Sequence, residues 1–190
     1  MLSAVSIFAQ VIFLFVDVVV VIWMCLILIS SILSSIHGAP YVPMKGYLVR
    51  QLLEFGGLSS ADVFYDLGCG DGRVLISAGQ DFHMQEAHGY EAAPWSYLKC
   101  TYRIRRSGLQ NITVQRQNFF NIDLSRATFV YLYLFPKIVD RLAYKLEKEL
   151  KNGTIVLCPS FPIDLNKHSG FKLKKETQIG SVTAYLYETV

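Results

Sequence analysis

No lysine or arginine occurs before Lys45, and Asp17 is the only charged side chain in that stretch. A secretory signal peptide needs a basic leader, then an apolar core of about 7–15 residues before a small-residue cleavage site. The leader is missing here and the apolar run is too long, so a retained anchor is the expected reading. The four cysteines (Cys25, Cys69, Cys100, Cys158) are scattered, with no C-x-x-C pair, which suggests neither a zinc site nor a disulfide framework. No G-K-[ST] occurs anywhere, which excludes a phosphate-cradling P-loop. Internal repeats and low-complexity tracts are also absent.

What is present begins with hydrophobicity. With no charge between Asp17 and Lys45, residues 18–33 are almost wholly apolar. A bilayer core takes about 20 apolar residues as helix, and Ser34 to Ile36 complete that length. A carboxylate at the centre of such a helix costs about 2.5–3.5 kcal/mol. The single transmembrane helix is therefore expected at about residues 18–37, with Asp17 at the interface. Residues 4–16, also apolar, extend it or dip into the bilayer. All 18 Lys and Arg lie at or beyond Lys45. The positive-inside tendency then puts the C-terminal part on the cytoplasmic or organelle-matrix side of a single-pass membrane protein. Three segments follow: an anchor over 1–37, a Pro/Gly linker over 38–44, and one folded domain over 45–190.

Within that domain short apolar runs alternate with helical periodicity, the pattern of βαβ units and a parallel sheet. Strands are expected near 63–67, 87–91, 112–117, 129–135, 153–159, 172–178 and 182–189. Helices are expected near 72–81, 95–107 and 137–150, preceded by one that ends at Gly56-Gly57. The last two strands have only Gly180-Ser181 between them and form an antiparallel hairpin. The connections 121–128 and 162–170 are too short for further helices. The fold class is α/β.

One heptapeptide concentrates the chemistry: Asp66-Leu67-Gly68-Cys69-Gly70-Asp71-Gly72. It follows a strand that ends on an acid and leads into a helix. Alternating glycines let the main chain take φ > 0 and approach a ligand closely. The helix N-terminus beyond adds unpaired N–H groups and the positive end of a dipole. That is a nucleotide or nucleoside pocket at the carboxyl end of a parallel strand. The dinucleotide fingerprint G-x-G-x-x-G/A fails at its third position, where Arg73 stands. About twenty residues on, where a ribose-binding acid is expected, Ala87-His88-Gly89-Tyr90-Glu91 ends a second strand in a carboxylate. A third strand runs into Asn118-Phe119-Phe120.

The pattern D-x-G-x-G-x-G resembles motif I of the class I S-adenosylmethionine-dependent methyltransferases. That resemblance implies a Rossmann-like seven-strand sheet, mostly parallel with a C-terminal antiparallel hairpin, here preceded by a transmembrane helix. It implies S-adenosyl-L-methionine as cofactor. The turn of Gly68, Cys69, Gly70 and Gly72 would pack on its methionine part and Asp66 would reach its amino group. Glu91 would take both ribose hydroxyls and Asn118 the adenine amino group. A closer resemblance, over residues 38–190, is to the small membrane-anchored protein-lysine methyltransferases that modify the ATP synthase c-subunit and the adenine nucleotide translocase. Its carriers are the anchor, Pro40-Tyr41-Val42-Pro43, residues 66–73, Gly89-Tyr90-Glu91, Asp123-Leu124-Ser125 and Phe161-Pro162. It implies that Tyr41 lies over the cofactor, that the acceptor is a lysine of a membrane-associated protein, and that no metal is needed. Met44, standing where the family pattern has Thr, departs from it.

The acceptor region is the end of the fourth strand, Tyr131-Leu132-Tyr133-Leu134-Phe135-Pro136. Alternation puts Phe129, Tyr131, Tyr133 and Phe135 on one face. Tyr131 reads as core, and Phe135 as the wall of the substrate cleft. The [DN]-P-P-[YFW] signature of amino-directed nucleic-acid methyltransferases is absent, so nucleic acid is disfavoured as the substrate. No catalytic base is assigned. Two other readings stay open: the same chemistry on a lipid or other small membrane molecule, and a non-catalytic S-adenosylmethionine-binding membrane module.

Overall fold

A computed structural model describes residues 4–37 and 44–190. Seven strands form one sheet: β1 (Val63–Leu67), β2 (Glu86–Tyr90), β3 (Ile112–Gln115), β4 (Phe129–Tyr131), β5 (Ile155–Pro159), β6 (Phe171–Ile179) and β7 (Val182–Thr189). Their order is β3-β2-β1-β4-β5-β7-β6. The first five are parallel, and β7 runs antiparallel to both β5 and β6. Strand order reverses between β1 and β4, the crevice where open α/β sheets bind ligands at the carboxyl ends of their strands. The heptapeptide leaves β1 at that crevice.

Helices cover both faces, and burial follows their apolar stripes. On one side α2 (Gly46–Gly56), α3 (Arg73–Asp81) and α4 (Pro94–Ser107) bury Leu48, Leu52, Leu53, Leu75, Cys100 and Ile104. Those side chains pack against Phe64, Phe129 and Leu157 of the sheet. On the other side α5 (Pro136–Glu149) buries Val139, Leu142 and Leu146 against Leu67, Val130 and Tyr187. The two short connections carry no α-helix. A 3-10 turn at Phe119–Asn121 precedes the first, and hydrogen-bonded turns occupy the second.

The fourth strand is shorter than the sequence pattern suggests. Leu132 N–H still donates to the Leu157 carbonyl at 2.9 Å. Beyond it the chain peels away to the extended Phe135 that precedes α5. Pro136 has no N–H to give a neighbouring strand and fits the first turn of a helix instead. That early departure frees the end of the strand to line the crevice.

At the other end of the chain α1 (Ala4–His37) is one unbroken helix of 34 residues that passes through Asp17. At 1.5 Å per residue it is about 51 Å long, more than a bilayer core of about 30 Å requires. The 23 residues Ile7–Ile29 have a mean hydropathy of 3.1 and are exposed throughout, so by length and composition the helix can cross a membrane.

Close packing around the turn depends on Gly89 of β2. A Cβ there would stand 2.4 Å from Leu75 Cδ1 and 2.9 Å from Cys69 Sγ. Gly89→Ala is therefore expected to lower stability by about 1–3 kcal/mol through overpacking. The measurement is a fall in the urea midpoint at unchanged m-value; an unshifted midpoint would show that Leu75 and Cys69 repack freely.

Candidate active site

Three glycines give the heptapeptide its path: Gly68, Gly70 and Gly72 have φ of 86°, 55° and 77°. A side chain at any of them would be strained in that region. Gly68 and Cys69 donate N–H bonds to the Tyr90 carbonyl at 2.9 and 3.1 Å, which stitches the turn to the end of β2. A Cβ on Gly68 would lie 2.9 Å from Leu134 Cδ2, so the stretch leaving β4 packs directly on the turn.

Asp66 and Glu91 sit at the two sides of this bend in different states. Asp66 is 2% exposed, and among the described residues its Oδ2 has no hydrogen-bond partner. Burial first, then the charges of Glu91 and Asp71, raise its pKa well above the ordinary aspartate value. A buried carboxylate without a partner is costly, and a cation is what it lacks. Glu91, half-buried just past β2, is already engaged. Its Oε2 accepts the Gly70 N–H at 3.0 Å and its Oε1 the Ala93 N–H at 2.8 Å. Burial raises its pKa, and the N–H groups of Ala93, Gly70 and Ala92 oppose that rise. Each oxygen keeps a second acceptor position, so the carboxylate can still receive two hydroxyl donors.

Asp71 has a different task. It is 2% exposed and fork-bonded by Arg73, with Nε to Oδ1 at 2.9 Å and Nη2 to Oδ2 at 2.8 Å. Arg103 of α4 reaches the same Oδ2, and Arg73 also donates to the Met44 carbonyl. This cluster joins the turn, α4 and the start of the folded domain. Sequence reasoning assigned it no role. Its signal was Arg73 itself, standing where the dinucleotide fingerprint wants glycine.

Other expected residues are placed as follows. The Cys69 thiol, 3.9 Å from Cys100 Sγ, has a pKa raised well above the usual range, first by that contact and then by burial. It is a packing group of the turn, protonated at neutral pH. Asn118 caps the 3-10 turn, its Oδ1 accepting the Phe120 N–H at 3.0 Å. Tyr131 is buried, its hydroxyl 3.7 Å from Met44 Sδ. Phe135 stays 38% exposed, with its ring centroid 6.0 Å from that of Phe161 beyond β5. Tyr41 and the rest of Pro40-Tyr41-Val42-Pro43 lie outside the described residues. Among the described residues no three His, Cys, Asp or Glu side chains gather where they could hold a metal ion.

Asp66 gives a pH prediction whose sign is fixed. Its folded-state pKa is raised, so the stability that its protonation confers is present in the ordinary aspartate range and lost as pH rises through the raised value. Each unit of such a shift is worth about 1.4 kcal/mol. Ligand-free protein is therefore expected to weaken over that window, and Asp66→Asn to flatten the slope in urea unfolding followed against pH. A wild-type curve without the slope would show that the carboxylate has found a partner.

Comparison with known proteins adds names to this geometry. The family model for the ANTKMT methyltransferase domain matches residues 66–169. The chain is 39% identical over 132 residues to a protein-lysine N-methyltransferase of Saccharolobus islandicus, covering 69% of this chain and 82% of that protein. It is 30% identical over 124 residues to the Xenopus laevis lysine N-methyltransferase of the ATP synthase c-subunit. There the match covers 65% of this chain but only 54% of the Xenopus protein. Among solved structures, an RNA methyltransferase from Salinibacter ruber in complex with S-adenosyl-L-homocysteine superposes with a TM-score of 0.71 at 28% identity. That match covers 78% of this chain and 94% of the Salinibacter chain.

Proposed function

The chain belongs to the ANTKMT methyltransferase domain family and is a class I methyltransferase, and from that premise we propose that it methylates lysine side chains of a membrane-associated protein, using S-adenosylmethionine. The observation that carries the cofactor assignment is the buried Asp66 beside the glycine turn, whose Oδ2 has no hydrogen-bond partner among the described residues. The cofactor's amino group is the cation that this carboxylate lacks. Glu91 offers its two remaining acceptor positions to the ribose hydroxyls. Asn118, whose carbonyl oxygen accepts one bond, has a second lone pair for the adenine amino group. When bound, S-adenosylmethionine would supply a methyl group activated by its sulfonium, passed to the lysine nitrogen as the carbon–sulfur bond breaks and the neutral thioether S-adenosylhomocysteine is left.

The protein's part is alignment and exclusion of water. Phe135 and Phe161, at the ends of β4 and β5, wall the acceptor side of the crevice with apolar surface. A lysine ammonium must lose its proton before it attacks. With an unperturbed pKa near 10.4, about one lysine in a few thousand is neutral at pH 7. Desolvation against these rings raises that fraction, so the reading needs no dedicated base. The lysine acceptor is supported by the Saccharolobus relative. An RNA acceptor, suggested by the Salinibacter neighbour, is opposed by Leu134-Phe135-Pro136, which lacks the [DN]-P-P-[YFW] signature.

The expected outcome is measurable in two stages. Calorimetry should detect S-adenosylmethionine binding to the native chain and none to Gly70→Arg. Labelled-methyl transfer into membrane extracts should then put the label in the protein fraction, on lysine, and Phe135→Ala should slow that transfer while cofactor binding holds. Label recovered in lipid would replace the acceptor, and a native chain that fails to bind would leave a non-catalytic module.

The division into anchor (1–37), linker (38–44) and catalytic domain (45–190) belongs to the same proposal. It is supported by the exposed apolar helix α1 and the confinement of every basic residue to one side of it. Residues 38–190 expressed alone are expected to be soluble while the full chain sediments with membranes. A truncated domain that still pellets with them would show that α1 is not the whole attachment.

A further inference from the structure

The outer face of α4 is built unlike the rest of the domain surface. Trp95, Leu98 and Tyr102, spaced three and four apart, share one side of the helix and are 50%, 59% and 63% exposed. Lys99, Arg105 and Arg106 are exposed beside and beyond them. The opposite side of the helix buries Cys100 and Ile104 against the core. From Ala92 to Ile122 the chain carries five cations and no acid. This face also meets the apolar helix: the Trp95 ring lies 5.9 Å from that of Trp23, edge-on at 80°. Trp23 sits inside the apolar stretch Ile7–Ile29.

We propose that this face of α4 docks on an anionic lipid surface, with Trp95, Leu98 and Tyr102 entering the headgroup layer and Lys99, Arg105 and Arg106 pairing with lipid phosphates. Aromatic rings with a polar edge favour the bilayer interface. A helix with an apolar stripe and a basic flank lies in that interface, held by both terms. An acidic protein partner would use the cations but not the tryptophan and leucine, whereas lipid uses all six side chains. Continuity decides between them: the one helix among the described residues long and apolar enough to cross a bilayer touches the face at its tryptophan. The proposal rests on the membrane reading of α1 and goes beyond it, because it fixes which way the domain faces. The first turn of α4 follows Glu91 directly, so docking brings the rim of the crevice down to the headgroups.

The full chain has two tryptophans, and Trp23→Phe leaves Trp95 as sole reporter. In nanodiscs of phosphatidylcholine containing phosphatidylglycerol, its emission is expected to shift to the blue and to be quenched by brominated acyl chains. Discs of phosphatidylcholine alone should give much less of both. Each exposed cation near an anionic surface strengthens docking about fivefold. Losing three such cations costs about a hundredfold, so reversing Lys99, Arg105 and Arg106 to Glu should weaken docking by more than that while S-adenosylmethionine binding, read by calorimetry, holds. Trp95 emission indifferent to phosphatidylglycerol, or quenching that survives the triple reversal, would overturn the proposal. Single-stranded RNA binding lost in the triple variant, with no Trp95 response to lipid, would overturn it in favour of nucleic acid. Co-elution of the chain with zwitterionic discs tests the anchor separately, so failure of the tether is distinguishable from failure of the docking face.

Discussion

A buried acid, one of whose oxygens finds no hydrogen-bond partner among the described residues, is the constraint around which this domain is organised. Asp66 ends the first strand at the point where the sheet reverses its order, and folding buries it beside two other acids. Among the described residues nothing bonds its Oδ2, and the surrounding structure offsets that cost. The flanking strands, the Tyr90 carbonyl that holds Gly68 and Cys69, and the close approach allowed by Gly89 keep the acid in place. A packing-driven core would have selected an apolar side chain at the same position. Keeping an acid there holds it protonated, its desolvation already complete in the folded chain.

The second acid works by division of labour. Glu91 uses one acceptor position on each oxygen to hold the backbone at Gly70 and Ala93, and keeps the others outward. One side chain thus ties the glycine turn to the start of α4, which couples the geometry of the two. The Asp71–Arg73–Arg103 cluster does the purely structural share of the same work, and its fork geometry suits the rigid guanidinium.

Much of this was legible in the sequence because the signals were local. Period-2 runs, amphipathic stripes and the Gly180-Ser181 turn located the sheet, its helices and its closing hairpin. The heptapeptide and the acid about twenty residues later are likewise short-range patterns, and the structure brings Asp66, the turn and Glu91 together. What could not be read depends on long-range contact. The early end of β4 is set by how Pro136 starts α5, and the bonds from Arg103 to Asp71 and from Arg73 to the Met44 carbonyl join residues far apart in the chain. Period-2 alternation grouped Phe129, Tyr131, Tyr133 and Phe135, but only Phe135 ends beside Phe161 at the open side. The other three belong to or pack on the core.

The bond from Arg73 to the Met44 carbonyl has a geometric consequence. It pins the domain's first described residue to the glycine turn, while α1 ends at His37. Only seven peptide links separate those two residues, and a fully extended chain covers at most about 3.6 Å per link. The mouth of the crevice is thereby leashed within about 25 Å of the helix end, which bounds how far it can stand from wherever α1 is held.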